Sequence, residues 1–240
     1  MAQALYANVA VVNSKEHKDL KIKPINHFRY ATKIQSCPIS DIEFFPCSLS
    51  HPIMFAKGED GSIVPLALMG LERETNQFVD GDGVWKEGEY MPAFLRRYPF
   101  IMVRDPENTR MVVGLDMDAE GVNSDEGREL FDGEGEASEF SKSAMKFLTD
   151  FQEAFDRTQN FLKKMEELDL FDDAVFNWEF KGVTSSFGGF MRIDEKKLDE
   201  LDDEALTSLT RSGHYKLIVA HLVSLRRFQR LVDWKMRSAE

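Results

Sequence analysis

Phe140, Ala144, Phe147, Leu148, Phe151, Phe155, Thr158, Leu162 and Met165 recur at steps of three and four residues. That spacing draws one apolar stripe down a helix of about seven turns, the clearest periodic signal in the chain. A stripe of this length has to be covered, so the rest of the chain must supply an apolar face for it. Ser138 stands at the N-cap position, where a hydroxyl can accept from a first-turn amide. Leu217, Ile218, His221, Leu222, Leu225, Phe228 and Val232 mark a second long helix. Between the two, residues 183–193 read as extended. Asp194 and Asp202 then each stand as the cap of a short helix, the first carrying Leu198 and Leu201, the second Leu206 and Leu209.

The front of the chain is punctuated differently. Residues 9–12, 27–31 and 39–45 are expected as strands, and Pro46 suits the first position of a single helical turn ending at Ser50. Residues 53–56 and 63–68 flank Gly58-Glu59-Asp60-Gly61, a hairpin signal. Residues 76–79 read as a short strand closed by the tight turn Asp80-Gly81-Asp82-Gly83. Met91-Pro92 opens a short helix to Arg97, and Pro99 stops it. Residues 100–103 then pair with 111–115 across Asp105-Pro106-Glu107-Asn108. The expected class is α+β. An antiparallel β-rich half with short helices, about 1–116, packs on the long amphipathic helices of about 140–240 to make one domain. Residues 116–139 hold ten acids and four glycines against one base, Arg128, and read as a mobile, solvated connection with Leu130-Phe131 as an apolar anchor.

Charge excludes several function classes. With 42 acids against 30 bases the net charge is −12, so a broad contact with nucleic-acid phosphates or an anionic membrane surface is not expected. The longest apolar stretch, 63–71, contains Pro65 and Gly70 and falls short of the ~18 residues a membrane span needs. Residues 1–13 lack a basic segment of the signal-peptide kind, and the cytoplasm is the expected compartment. Cys37 and Cys47 form no CxxC pair and are expected as reduced, partly buried thiols. The five histidines make no HxH or HExxH pattern, and no GxSxG, GxGxxG or GxxxxGK[ST] motif is present, so no metal or cofactor is expected. Asp116-x-Asp118-x-Glu120-Gly121 begins like a calcium loop, but its twelfth position is Gly127 where a bidentate Glu belongs. Thr184-Ser185-Ser186 before Gly188-Gly189 reads as a Ser/Gly-rich turn.

The most suggestive cluster for binding is Arg96-Arg97-Tyr98-Pro99. A guanidinium fork holds a carboxylate or phosphate at two points. Trp85, Tyr90 and Asn76 lie close in sequence and can supply an aromatic wall and an amide. The competing reading pairs one arginine with an internal acid, leaves the other in solvent and buries Tyr98 in the core. The basic residues Arg211, Lys216, Arg226, Arg227, Arg230, Lys235 and Arg237 at the C-terminal end face a strongly acidic 194–204 stretch in sequence. Such segregation can steer a protein partner, or it can be ordinary solvated surface.

Several phrases, taken in order, resemble one family. His51-Pro52-Ile53-Met54-Phe55 and Val64-Pro65-Leu66-Ala67-Leu68-Met69-Gly70-Leu71 are followed by Asn76-Gln77-Phe78-Val79, Trp85, Tyr90, Met91-Pro92-Ala93-Phe94 and Arg96-Arg97-Tyr98-Pro99-Phe100. Gly189-Phe190-Met191-Arg192-Ile193-Asp194-Glu195-Lys196-Lys197-Leu198 and Ala220-His221-Leu222-Val223-Ser224-Leu225 complete the set. The chain resembles the bacterial SapC family over about 27–232. The resemblance implies an accessory role near surface-layer assembly, secretion or uptake, and many relatives are encoded beside outer-membrane transport genes or flavin-dependent halogenases. It supplies no catalytic residues. Two function classes follow. The first is a non-enzymatic binding protein for a protein partner or a small anionic ligand. The second is an enzyme or enzyme accessory beside an oxidative system, with His51, Tyr90 or His221 moving a proton.

Overall fold

In the computed structural model, residues 5–237 are described apart from Glu59, Pro106, Asn108 and Lys181, with Phe180 as backbone only. The chain opens with β1 (Val9–Val11), the turn α1 (Ser14–His17) and β2 (Lys21–Ile22). A 3-10 turn at Arg29–Ala31 leads to β3 (Ser36–Pro38), a second 3-10 turn at Asp41–Glu43 and α2 (Phe44–Ser50). Next come β4 (Ile53–Lys57), β5 (Ile63–Leu68), α3 (Ala93–Arg96), β6 (Phe100–Arg104), β7 (Met111–Asp116), β8 (Val122–Asn123) and β9 (Arg128–Glu129). The back half holds α4 (Glu139–Glu167), the hairpin β10 (Phe171–Phe180) and β11 (Val183–Ile193), then α5 (Glu195–Asp199), α6 (Asp203–Ser212), α7 (His214–Ser224) and α8 (Arg227–Arg237).

The class is α+β, with three antiparallel sheets ordered β1-β7-β6, β10-β11-β4-β5-β3 and β8-β2-β9. The hairpins β4–β5 and β6–β7 form as their sequences predict; Glu59, Pro106 and Asn108 of the two turns lie outside the described residues. α4 begins at its Ser138 cap, whose hydroxyl accepts from Ser141 N, and buries Leu148, Phe151, Ala154, Thr158, Phe161, Leu162 and Met165. Thr158 is satisfied inside the core, donating to Ala154 O and accepting from Asp41 N. Asp194 and Asp202 cap α5 and α6 with side-chain bonds to Lys196 N and Ala205 N.

Other expectations need correction. Residues 27–31 do not pair as a strand; Phe28 N donates to Gly83 O and the chain turns in a 3-10 step. Residues 39–45 coil into a helix start, because Ser40 and Glu43 form a capping box and Phe44, not Pro46, begins α2. Residues 76–79 contribute one isolated bridge, Val79 to Trp85. The second long helix breaks after Ser224, whose hydroxyl donates to His221 O and accepts from Ile53 N of β4. The acidic stretch is folded: β8 and β9 flank β2, Leu130 is fully buried, and Glu126 and Glu129 point to solvent. Thr184, Ser185 and Ser186 lie inside β11 rather than in a turn. β10 forms although it carries Asp172 and Asp173, and its Ala174, Phe176 and Trp178 turn inward at every second residue.

The back half is tied to the front by the pairing of β11 with β4, Met191 opposite Phe55. His221 reinforces this seam: its Nε2 accepts from Ile193 N at 3.0 Å and its ring lies 4.9 Å from Phe55. His51 donates from Nε2 to Tyr90 O at 2.7 Å and packs 4.2 Å from Phe78. Both rings are fully buried, and burial pushes His51 down to about 4 and His221 down to about 3. An unfolded chain protonates these rings near an ordinary value of about 6.5. Between that value and the folded ones the unfolded state binds more protons, so stability falls as pH falls. Urea denaturation is expected to show these groups contributing almost no slope above about pH 8 and about 2.5 kcal/mol per pH unit near pH 5. His221→Gln, which keeps an acceptor for Ile193, should remove about half of that slope. Identical pH dependence in the two proteins would contradict the assignment.

Candidate functional site

Pro92 caps α3, and Arg96 at the end of this four-residue helix and Arg97 at its C-cap precede Tyr98, which a cis peptide joins to Pro99. Beneath that helix lies Glu43, a carboxylate only 2% exposed. Its Oε2 accepts from Ser40 N and Ser40 Oγ at 3.0 and 3.1 Å. Its Oε1 accepts from Tyr90 Oη at 3.0 Å and Ala93 N at 2.7 Å. Tyr90 Oη in turn accepts from Arg96 Nη2 at 3.2 Å, and Arg96 Nε donates to Met91 O at 3.0 Å. The guanidinium lies 5.7 Å from the Tyr90 ring centre and 5.5 Å from that of Phe147.

Arg97 has its own set of partners. Its Nε donates to Tyr6 Oη at 3.1 Å, and its guanidinium lies 4.4 Å from the Phe94 ring and 5.1 Å from Phe151. Tyr98 stacks on Tyr30 at 4.4 Å and donates to Asp116 at 3.4 Å. The Asp116 carboxylate, read as a calcium-loop start, is occupied by the N–H groups of Ala7, Asn8 and Asp118 as well. Burial and the Asp116 charge push the Tyr98 phenol up to about 12, and burial raises Tyr6, Tyr30 and Tyr90 too. These phenols are therefore neutral donors at physiological pH.

Arg96, Arg97 and Tyr98 share one groove of about 560 Å³. The loop bearing Pro24, Ile25, Phe28 and Tyr30 forms one wall, and the first turns of α4 form another with Phe140, Ala144, Phe147 and Leu148. Lys23 and Arg128 stand on the rim, and no lining residue is an acid. Lys23 pairs with Glu126. Among the described residues, Arg96, Arg97 and Arg128 pair with no carboxylate. Such a groove can seat an anion against an apolar, aromatic surface.

The other sequence candidates lie elsewhere. Tyr90 supports Arg96 from below and does not line the groove. Trp85 is buried, donating to Glu89 O and stacking on Phe78. Asn76 is buried and serves Ala31 O and Phe78 N. His51 and His221 have no exposure and do not line the groove. Cys37 and Cys47 are fully buried free thiols, raised well above their ordinary values by burial and then by Glu43. Of the C-terminal bases, Arg230 grips Glu89 and Ser50 O, and Lys235 pairs with Glu72. Sequence reasoning missed Glu43, Tyr30, Phe147 and Arg128; the motif Ser40-x-x-Glu43 was the one available signal for the first.

Replacing Glu43 with Ala strips four donors of their acceptor and is expected to cost about 3 kcal/mol in urea denaturation, against about 1–2 for Glu43→Gln. A loss below about 1 kcal/mol for the alanine variant would show that the site does not depend on this carboxylate.

No curated protein and no solved structure matches the chain. The family model named SapC matches residues 12–231, which include every residue of the groove and the Glu43 support beneath it. The chain belongs to the SapC family.

Proposed function

We propose that this protein is a non-enzymatic binding or accessory protein working with bacterial surface-layer, secretion or uptake machinery from the cytoplasm, its whole length acting as one domain. The groove between α3 and α4 is its contact site, with Arg96 and Arg97 as anchors for an anionic ligand or an anionic group of a partner. One observation carries this reading. Acids outnumber bases 42 to 30, yet the arginines of this groove pair with no carboxylate among the described residues. A guanidinium left without a counter-ion beside an apolar wall is a ready receptor for an external one.

The binding reading is favoured over catalysis by the placement of His51 and His221. Both are sealed in the core, away from the groove, in roles that orient backbone. The phenols nearest the arginines are raised, which suits hydrogen bonding better than proton abstraction.

The test is affinity capture from the native host, with mass spectrometry of co-eluting proteins and small molecules. Arg96→Gln/Arg97→Gln is expected to reduce capture of the main partner at least tenfold, because each charge-assisted contact is worth about 1.5–3 kcal/mol. The double variant should keep its fold, with a urea midpoint lowered only by loss of the hydrogen bonds to Met91 O, Tyr90 Oη and Tyr6 Oη and of the ring contacts. Undiminished capture by a folded double variant would reject the site.

A further inference from the structure

We infer that the groove takes an amphiphile, a free carboxylate on an aliphatic or aromatic body, and that Arg128 is a third cation for its head. This rests on the anion-binding reading above and narrows it to a ligand class.

The first observation is the placement of Arg128. It is the only base among ten acids in 116–139, and ordinary screening would pair it with one of them. Instead it sits on β9 opposite Ile22 of β2, its guanidinium 5.4 Å from the Phe140 ring, on the rim of the groove that holds Arg96 and Arg97. None of those ten acids lines the groove. The segment thus contributes its one cation to this rim.

The second observation is the state of the α4 stripe. From Leu148 onward its apolar positions are mostly buried by the rest of the chain, but Phe140, Ala144 and Phe147 stay partly exposed and line the groove. An apolar surface of this size is suited to a ligand body, while three guanidiniums resting on aromatic rings keep edge donors for an anion. The volume of about 560 Å³ falls in the range of small-molecule sites. A net charge of −12 opposes approach to an anionic bilayer, so the ligand is the free molecule rather than a headgroup held in a membrane.

Isothermal titration calorimetry with octanoate, decanoate and dodecanoate tests the proposal on the full chain. Affinity is expected to rise up to about fourfold for each methylene added, the factor for full burial of a CH₂ group. Dodecanol should bind at least tenfold more weakly than dodecanoate, and Arg128→Gln should weaken dodecanoate about tenfold with an unchanged urea midpoint. Acetate or inorganic phosphate binding as tightly as dodecanoate would overturn the amphiphile and leave the anion site standing. Loss of native-host capture in the Arg96/Arg97 variant, with no binding of any of these acids, would do the same. Dodecanol binding equal to dodecanoate, insensitive to the arginine substitutions, would remove both readings. Binding confined to phosphatidylglycerol vesicles, with no free dodecanoate bound, would also overturn the proposal.

Discussion

A carboxylate taken out of water must be compensated at once, and among the described residues Glu43 is compensated without an ion pair. Four donors converge on it: the backbone and hydroxyl of Ser40, the phenol of Tyr90 and the first amide of α3. These donors belong to three different local problems, the two Ser40 groups to the approach to α2, Tyr90 to the 85–92 loop and Ala93 N to the start of α3. One buried charge therefore solves three chain-direction problems together. Tyr90 is further fixed by Ser50 Oγ at its N–H and by His51 at its carbonyl. The consequence reaches the surface, because the same phenol supports Arg96 and sets where one edge of the groove stands.

A second set of ties holds the helical half against this platform. β11 joins the sheet beside β4, His221 accepts from Ile193, and Ser224 accepts from Ile53. Arg230 reaches across from α8 to Glu89 and Ser50 O, next to the residues that fix Tyr90. Several polar side chains that look functional in a linear reading are spent on these joints. Buried polar groups need partners, and the surest partners in a mixed fold are backbone groups of the neighbouring layer.

What is left over is informative for the same reason. Arg96, Arg97 and Arg128 come from α3, its C-terminal edge and β9, yet they face one groove walled by the exposed start of α4. A protein with a net charge of −12 has acids available at most of its surface. Their exclusion from this groove lowers the local screening of the three cations and raises its potential for an anion. The groove lies wholly within the residues that match the SapC family.

Legibility followed the range of the interaction. Period and caps are written in neighbouring residues, so the sequence alone determined α4 with its Ser138 cap, the short helices behind Asp194 and Asp202, both front hairpins, the α+β class and the Arg96-Arg97-Tyr98 block. It failed where a distant partner outweighed local preference. Ser224 breaks a continuous apolar period because β4 needs its hydroxyl, and β10 forms despite Asp172 and Asp173 because β11 pairs along its length. Asn76 and Trp85 sit near the arginines in sequence but point into the core, whereas Arg128 arrives from thirty-odd positions away. Only tertiary structure decided which arginines lost their counter-ions and which greasy turns of α4 stayed uncovered. Those outcomes depend on surfaces meeting across tens of residues to more than a hundred, and no local pattern encodes a surface that has failed to find a partner.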